Sequence, residues 1–257
     1  MNARARVYFL VFLIAAAIGC RPGIEEKDRA PLAREQAWAL AASALLAERN
    51  DERHDLLGGR ERIAKDMEMW RAGLVKGWNV GDHEDLLATL RLLEEEGDRK
   101  EFTELGAHVT SLSKRKYKKF LKKARRDAEL YNRIQLAKEH HDKLGEKSLA
   151  GWDYCRYISL CRWGYLAGYF TEEEAWARII PAASKLQGRF DSWEDLGANY
   201  LIGREFWSHE DTVKNGLLYR AAYRRLLDNP GSPWNVYLWD MEMEEPRGGQ
   251  GVGLLGR

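Results

Sequence analysis

From Pro31 onward, apolar residues recur three and four positions apart almost without pause, the period of helices that pack by one face. "APLAREQAWALAASALLAER" reads as one helix, with Pro31 suited to a first turn. "LLGGR" interrupts the pattern, and "RIAKDMEMWRAGLVKGW" reads as a second helix. Asp82 is placed to cap "HEDLLATLRLLEEE", whose Leu86, Leu90 and Leu93 share a face. Gly97 stops that helix, and "RKEFTELGAHVTSL" forms a shorter one. Ser113 opens a long helix through "KRKYKKFLKKARRDAELYNRIQLAKEHHDKL". Its Tyr117, Phe120, Leu121, Ala124, Ala128, Tyr131 and Ile134 make a single stripe.

The pattern then changes. Between Trp152 and Phe170 apolar residues fall on every side of the helix, and the only charges are Asp153, Arg156 and Arg162. A helix apolar all round belongs at the centre of a fold. Thr171 and Glu174 form a capping box that starts "TEEEAW", and Asp191 or Ser192 with Glu194 repeats the signal before "DLGANYLIGREFW". A last helix, "DTVKNGLLYRAAYRRLL", stops at "DNPGSPW". No strand pattern and no internal repeat is present. The prediction is an all-α protein, a single multi-helix domain over residues 31–240 built around an aromatic-rich helix at 152–170. The glycine-rich tail, 241–257, lacks periodicity and reads as disordered.

Charge alters this picture at the N-terminus. Arg4 and Arg6 precede "VYFLVFLIAAAI" (7–18), an uninterrupted run of twelve apolar residues. That run is shorter than the roughly 20 residues a spanning helix needs. It ends in "AIGC", which resembles the lipobox of bacterial lipoproteins, with Ala17 where leucine is commoner. The resemblance implies a signal peptide over 1–19, lipidation of Cys20 and a polar tether over 20–30. Arg21 behind the cysteine favours the outer membrane, facing the periplasm, over the inner one. Several acyl chains would hold the protein firmly, each buried methylene contributing about 0.8 kcal/mol. Over the whole chain 41 basic residues balance 40 acidic ones, so no global field points to nucleic acid. Locally the balance fails, because residues 114–126 hold nine Lys or Arg and no acid. Lys114, Arg115, Lys118, Lys119, Lys122, Lys123 and Arg126 are therefore a candidate basic surface. The plain reading is a solvated helix back; the other is a patch for anionic lipid headgroups or an acidic partner.

Chemistry adds little. Cys155 and Cys161 stand six apart on one helix, about 9 Å along its axis, too far to bridge. They read as small buried hydrophobes. No Cys and His spacing suits zinc, and the adjacent His140 and His141 diverge around a helix. No G-x-S-x-G, H-E-x-x-H, Walker loop or dinucleotide fingerprint occurs, so neither a metal nor a cofactor is expected and no catalytic residue is assigned.

One segment does carry a resemblance. "GWDYCRYISLCRWGYLAGYFTEEEAWARIIPAASKLQGRFDSWEDLGANYLIGREFW" resembles the signature half of a bacterial family numbered 1266 among domains of unknown function. The shared pattern runs WD..R, then WGY..GY..EEEAW, then SWE.....YL.GR.FW. Trp152, Asp153, Arg156, Trp163, Gly164, Tyr165, Gly168, Tyr169, Glu174, Ala175 and Trp176 match it. So do Ser192, Trp193, Glu194, Tyr200, Gly203, Arg204 and Trp207. Two upstream elements depart from the pattern. Trp78-Asn79-Val80 stands where the family more often reads Trp-Gly-Ile, and Gly97-Asp98-Arg99 where it reads Gly-His-Arg. "SPWNVYLW" also fits, so the likeness covers roughly residues 70–240. It implies an all-helical fold and no established activity.

Asp153 and Arg156 are three apart and face the same way on their helix, and Arg204 sits at the edge of the Tyr200 and Trp207 stripe. With Glu174 they form the candidate polar centre. Unpaired charges there would cost several kcal/mol, so partners are expected. One reading is an ion-pair network that fixes how three helices pack. The other is a small anionic-ligand or hydrolytic site in which Arg156 and Arg204 bind the anion and Asp153 or Glu174 is the base. The first is favoured, because structural ion pairs commonly mimic sites. The functional expectation is an envelope-anchored helical protein that binds a protein partner, with nucleic acid a poor candidate.

Overall fold

The computed structural model describes residues 31–242, among which no residue is in a strand. The helices are α1 (Arg34–Ala41), α2 (Ala44–Arg49), α3 (Met67–Trp78), α4 (His83–Glu95), α5 (Gly97–Ser111), α6 (Lys114–Ala124), α7 (Ala128–Leu144), α8 (Ala150–Ala167), α9 (Glu172–Gln187), α10 (Trp193–Trp207), α11 (His209–Asp228) and α12 (Pro233–Val236). The leader, Cys20 and most of the tail lie outside the described residues.

Helix α8 is the axis of the molecule. Of its residues from Ala150 to Ala167, every one except Tyr165 is buried, as an all-round apolar helix requires. Helices α2, α3, α4, α5, α9 and α10 pack around it, while α1 packs on α9 and α12 on α1 and α11. Burying a Leu or Ile side chain contributes about 1.5–3 kcal/mol. Ile158, Leu160, Leu166, Leu86, Leu90, Ile134 and Ile179 thus make one continuous core. A self-contained core of this kind marks residues 31–242 as a single folding unit.

The capping signals act much as expected. The Asp82 side chain accepts from the Asp85 N–H, and the Thr171 and Glu174 box is complete at α9. At α10 Ser192 is the cap, and Asp195 rather than Glu194 donates the N–H it accepts. Three elements differ from expectation. The second helix begins at Met67, after a separate 3-10 turn at Ala64–Asp66, and not at Arg62, because Ile63 is extended. The long helix from Ser113 is in fact two, because the Asp127 side chain accepts from the Leu130 N–H and starts α7 afresh. The helix from Pro31 breaks at Ala42–Ser43, where the Ser43 hydroxyl donates to the Leu40 carbonyl.

Candidate functional site

The turn between α4 and α5 positions the polar centre. Gly97 adopts φ +58°, a conformation that glycine takes without strain. It presents the first N–H groups of α5 to α8. A helix N-terminus leaves such donors without intrahelical partners and carries partial positive charge. The fully buried Asp153 carboxylate fills the position. Its Oδ1 accepts from the Asp98 N–H at 2.9 Å, and its Oδ2 from the Arg99 N–H at 3.1 Å. Asp153 therefore caps α5 from a different helix. This is why an aspartate stands in so apolar a segment.

Two guanidinium groups complete the cluster. Arg156 Nη2 donates to Asp153 Oδ1 at 2.6 Å and to Asp98 Oδ2 at 2.8 Å. Arg99 Nη1 donates to Asp153 Oδ2 at 3.1 Å and to the Leu93 carbonyl at 2.5 Å, so it also ties down the end of α4. The Trp152 indole N–H donates to Asp98 Oδ2 at 2.7 Å. Arg156 lies 4.2 Å from the Trp152 ring centroid and 5.7 Å from that of Trp78, stacked between aromatic faces. Burial pushes the Asp153 carboxyl up; Arg156 pulls it back down, and the neighbouring Asp98 charge adds to the rise.

Arg204 is not in this cluster, contrary to expectation. Its Nη2 pairs with Asp211, its Nη1 donates to Thr212 Oγ1 at 3.0 Å, and it lies 3.9 Å from the Tyr219 ring centroid. The cause is rotation about α10. Gly203 faces α8 so closely that a Cβ there would stand 2.2 Å from the Trp152 Cβ. The next residue, about 100° further round, turns to α11. Glu174 is also elsewhere: its carboxylate accepts from the Thr171 N–H at 2.9 Å, with His83 at 3.4 Å. The Thr171 N–H holds its carboxyl below the usual range. The proposed trio of Asp153, Arg156 and Arg204 thus does not assemble, and each charge is closed on partners of its own.

A second hub escaped the sequence reading. Arg162 is completely buried, with Nε donating to the Leu57 carbonyl at 2.9 Å, Nη1 to Ser43 Oγ at 3.2 Å and Nη2 to the Arg53 carbonyl at 3.1 Å. Glu52 lies 3.7 Å away and accepts from the Trp163 indole N–H at 3.0 Å. One guanidinium thereby holds the loop between α2 and α3 onto α8. Cys155 and Cys161 are buried free thiols that burial pushes up, and Cys155 Sγ donates to the Ala42 carbonyl at 2.9 Å.

The structure has a surface groove of about 670 Å³ in a different place, lined by Arg126, Asp127, Ala128, Glu129, His209, Glu210, Val213 and Lys214. Within it Glu129 accepts from the His209 N–H at 2.8 Å and the Glu210 N–H at 3.0 Å, so the start of α11 is already occupied by an internal carboxylate. The basic residues Lys114, Arg115, Lys118, Lys119, Lys122, Lys123 and Arg126 are all exposed along and just beyond α6. Among the described residues no group of His, Cys, Asp and Glu is arranged to hold a metal ion.

Gly97 tests the geometry. A Cβ there would stand 2.1 Å from Asp153 Oδ2 in a left-handed backbone. Gly97→Ala is expected to cost about 2 kcal/mol or more, from backbone strain and a displaced carboxylate. The control is Gly77, where a Cβ meets nothing within 4 Å. Gly77→Ala should leave the urea midpoint unchanged or raise it.

Comparison with known proteins yields a family match and adds no chemistry. The profile of a family described as "Protein of unknown function (DUF1266)" matches residues 73–239, from within α3 to beyond α12. That span contains Asp98, Arg99, Asp153 and Arg156, whereas the partners of Arg162 precede it. "Uncharacterized protein YbeR" of Escherichia coli (strain K12) is 25% identical over 162 residues, 62% of this chain and 67% of that protein. No solved structure matches the chain.

Proposed function

This chain belongs to the DUF1266 family of proteins of unknown function, and on that premise we propose that it is a helical binding protein of the bacterial cell envelope, anchored through a lipidated Cys20. The observation that carries the binding reading is the closure of the polar centre. A reacting site needs charged groups that a substrate can reach. Asp153 is fully buried, and Arg156 is nearly so, between Trp78 and Trp152. Their hydrogen bonds run to other residues of the same cluster. In this reading the core is a rigid support, and recognition of a protein partner occurs on the outside of the bundle.

The anchor rests on residues 4–20: two arginines, twelve apolar residues and "AIGC". No helix among the described residues is long and apolar enough to cross a membrane. In this proposal the acyl chains hold the protein at the outer membrane, with the helical domain facing the periplasm.

Metabolic labelling with a fatty-acid analogue should mark the wild type and not Cys20→Ser, which a high-salt wash should release from the membrane while the wild type stays bound. An unlabelled wild type would remove the anchor from the account. The binding half is tested by cross-linking the mature protein in envelope extract, which should recover one stoichiometric partner. Hydrolysis of small anionic substrates, abolished by Arg156→Met with the fold intact, would replace binding with catalysis.

A further inference from the structure

Helix α6 is unlike the rest of the surface. Elsewhere several exposed lysines pair with acids one turn away, as in Lys100 with Glu96 at 3.2 Å and Lys214 with Glu210 at 2.6 Å. The nine Lys and Arg of residues 114–126 are all exposed, and among the described residues none of their side chains makes an ion pair. Their own segment contains no acid that could pair with them. They are nine of the chain's 41 basic residues, so the remaining 32 face 40 acids and the rest of the protein is acidic.

The arrangement also works against the helix that carries it. Lys114, Arg115 and Lys116 occupy the first turn, where the helix dipole disfavours cations. Lys114 and Lys118, Arg115 and Lys119, Lys118 and Lys122, and Lys119 and Lys123 are like charges four apart, which destabilise a helix. Stability therefore gives no reason for the pattern, and local rules broken without internal compensation mark functional surfaces. An external anion array would relieve both conflicts.

What lies beside α6 selects the kind of array. Arg126 lines the same groove as Val213, and Val213 and Leu217 stand one turn apart on α11 with 73% and 78% of their surface exposed. Exposed aliphatic side chains across a groove from Arg126, just past the end of the cationic helix, suit an interface with charge above and hydrocarbon below. Rings for stacking bases are not offered. Tyr117 and Phe120 are half-buried, engaged by Lys138 at 5.9 Å and by the His108 ring at 5.2 Å.

We propose that α6, with Val213 and Leu217 of α11, is a docking surface for an anionic phospholipid bilayer. The cations meet the headgroups, and the two aliphatic side chains enter the acyl boundary. This goes beyond the anchored-binding reading and stands without lipidation of Cys20.

The test uses residues 21–257, made without leader or acyl chains, sedimented with vesicles. Partition onto phosphatidylglycerol-containing vesicles should exceed that onto pure phosphatidylcholine by about tenfold or more at low salt, and should fall by a similar factor at about 0.5 M salt. Lys118→Gln, Lys119→Gln, Lys122→Gln and Lys123→Gln together should lose about tenfold. Val213→Ser with Leu217→Ser should lose severalfold while the salt dependence stays. Equal partition onto the two vesicle types would overturn the proposal. So would a lysine variant of unchanged helical circular dichroism that binds like wild type, or a serine variant with undiminished binding. Tighter binding to RNA or to an acidic polypeptide than to the vesicles would also overturn the lipid assignment. The vesicle and salt comparisons need no variant, so a misfolded one leaves the test intact.

Discussion

Asp153→Ala is expected to lose about 3–5 kcal/mol of stability, a fall in Tm on the order of 10 °C for a domain of this size. The loss has two sources. The Asp98 and Arg99 N–H groups, which donate to Asp153 at 2.9 and 3.1 Å, are left as orphan donors at the start of α5. Arg99 and Arg156 lose the carboxylate between them, and Arg156 keeps Asp98 as its one acid, with the Trp152 carbonyl at 3.4 Å. The pH dependence has a definite sign. Burial, countered by Arg156, leaves the Asp153 carboxyl raised above 3.8. The stability linked to that titration is complete below 3.8 and is lost as pH climbs through the raised native value. Asp153 therefore does not drive acid unfolding. A melting curve unaltered by Asp153→Ala would contradict this description of the centre.

Arg162→Met is expected to cost a comparable amount, about 3–5 kcal/mol, through a different part of the molecule. Removing the guanidinium strands the buried Glu52 carboxylate and leaves the Leu57 and Arg53 carbonyls without their donor. Methionine has nearly the right length, so a lost side-chain volume is not the main cause. The effect should also be local: amides between Asn50 and Ile63 should exchange faster, with α8 still protected. Adding Glu52→Gln should recover part of the loss, because contacting residues are not additive. Unchanged exchange in that loop would mean that Arg162 does not hold it.

Much of this fold was legible because α8 is so unusual. A helix with apolar residues on every side has one possible location, and the i,i+3 spacing of Asp153 and Arg156 placed those charges together. The other half of their network comes from the α4–α5 turn, 54 and 55 residues away in sequence. Helical periodicity describes one element at a time and cannot bring Asp98 and Arg99 to α8. A hint was present, since Gly97-Asp98-Arg99 aligns with a patterned Gly-His-Arg of the family it resembles. Arg204 was misplaced by a single helical step, because the close contact of Gly203 with Trp152 decides which way α10 faces. Arg162 was visible as a charge in the same apolar run, and the burial argument used for Asp153 applies to it equally. The break at Asp127 was hidden by a hydrophobic stripe that continues in phase across it. The groove between α7 and α11 joins two helix junctions distant in sequence, which no local pattern announces.

The central claim is that the charges inside this protein hold helices together and leave interaction to its surface. The most direct measurement is a double-mutant cycle on Asp153→Ala and Arg156→Met, followed by equilibrium denaturation. If the pair is a structural clasp, each single change is costly and the double variant loses less than their sum, with a coupling of about 1–3 kcal/mol. Losses that simply add, to within about 0.5 kcal/mol, would show that the two residues act independently and would contradict the account.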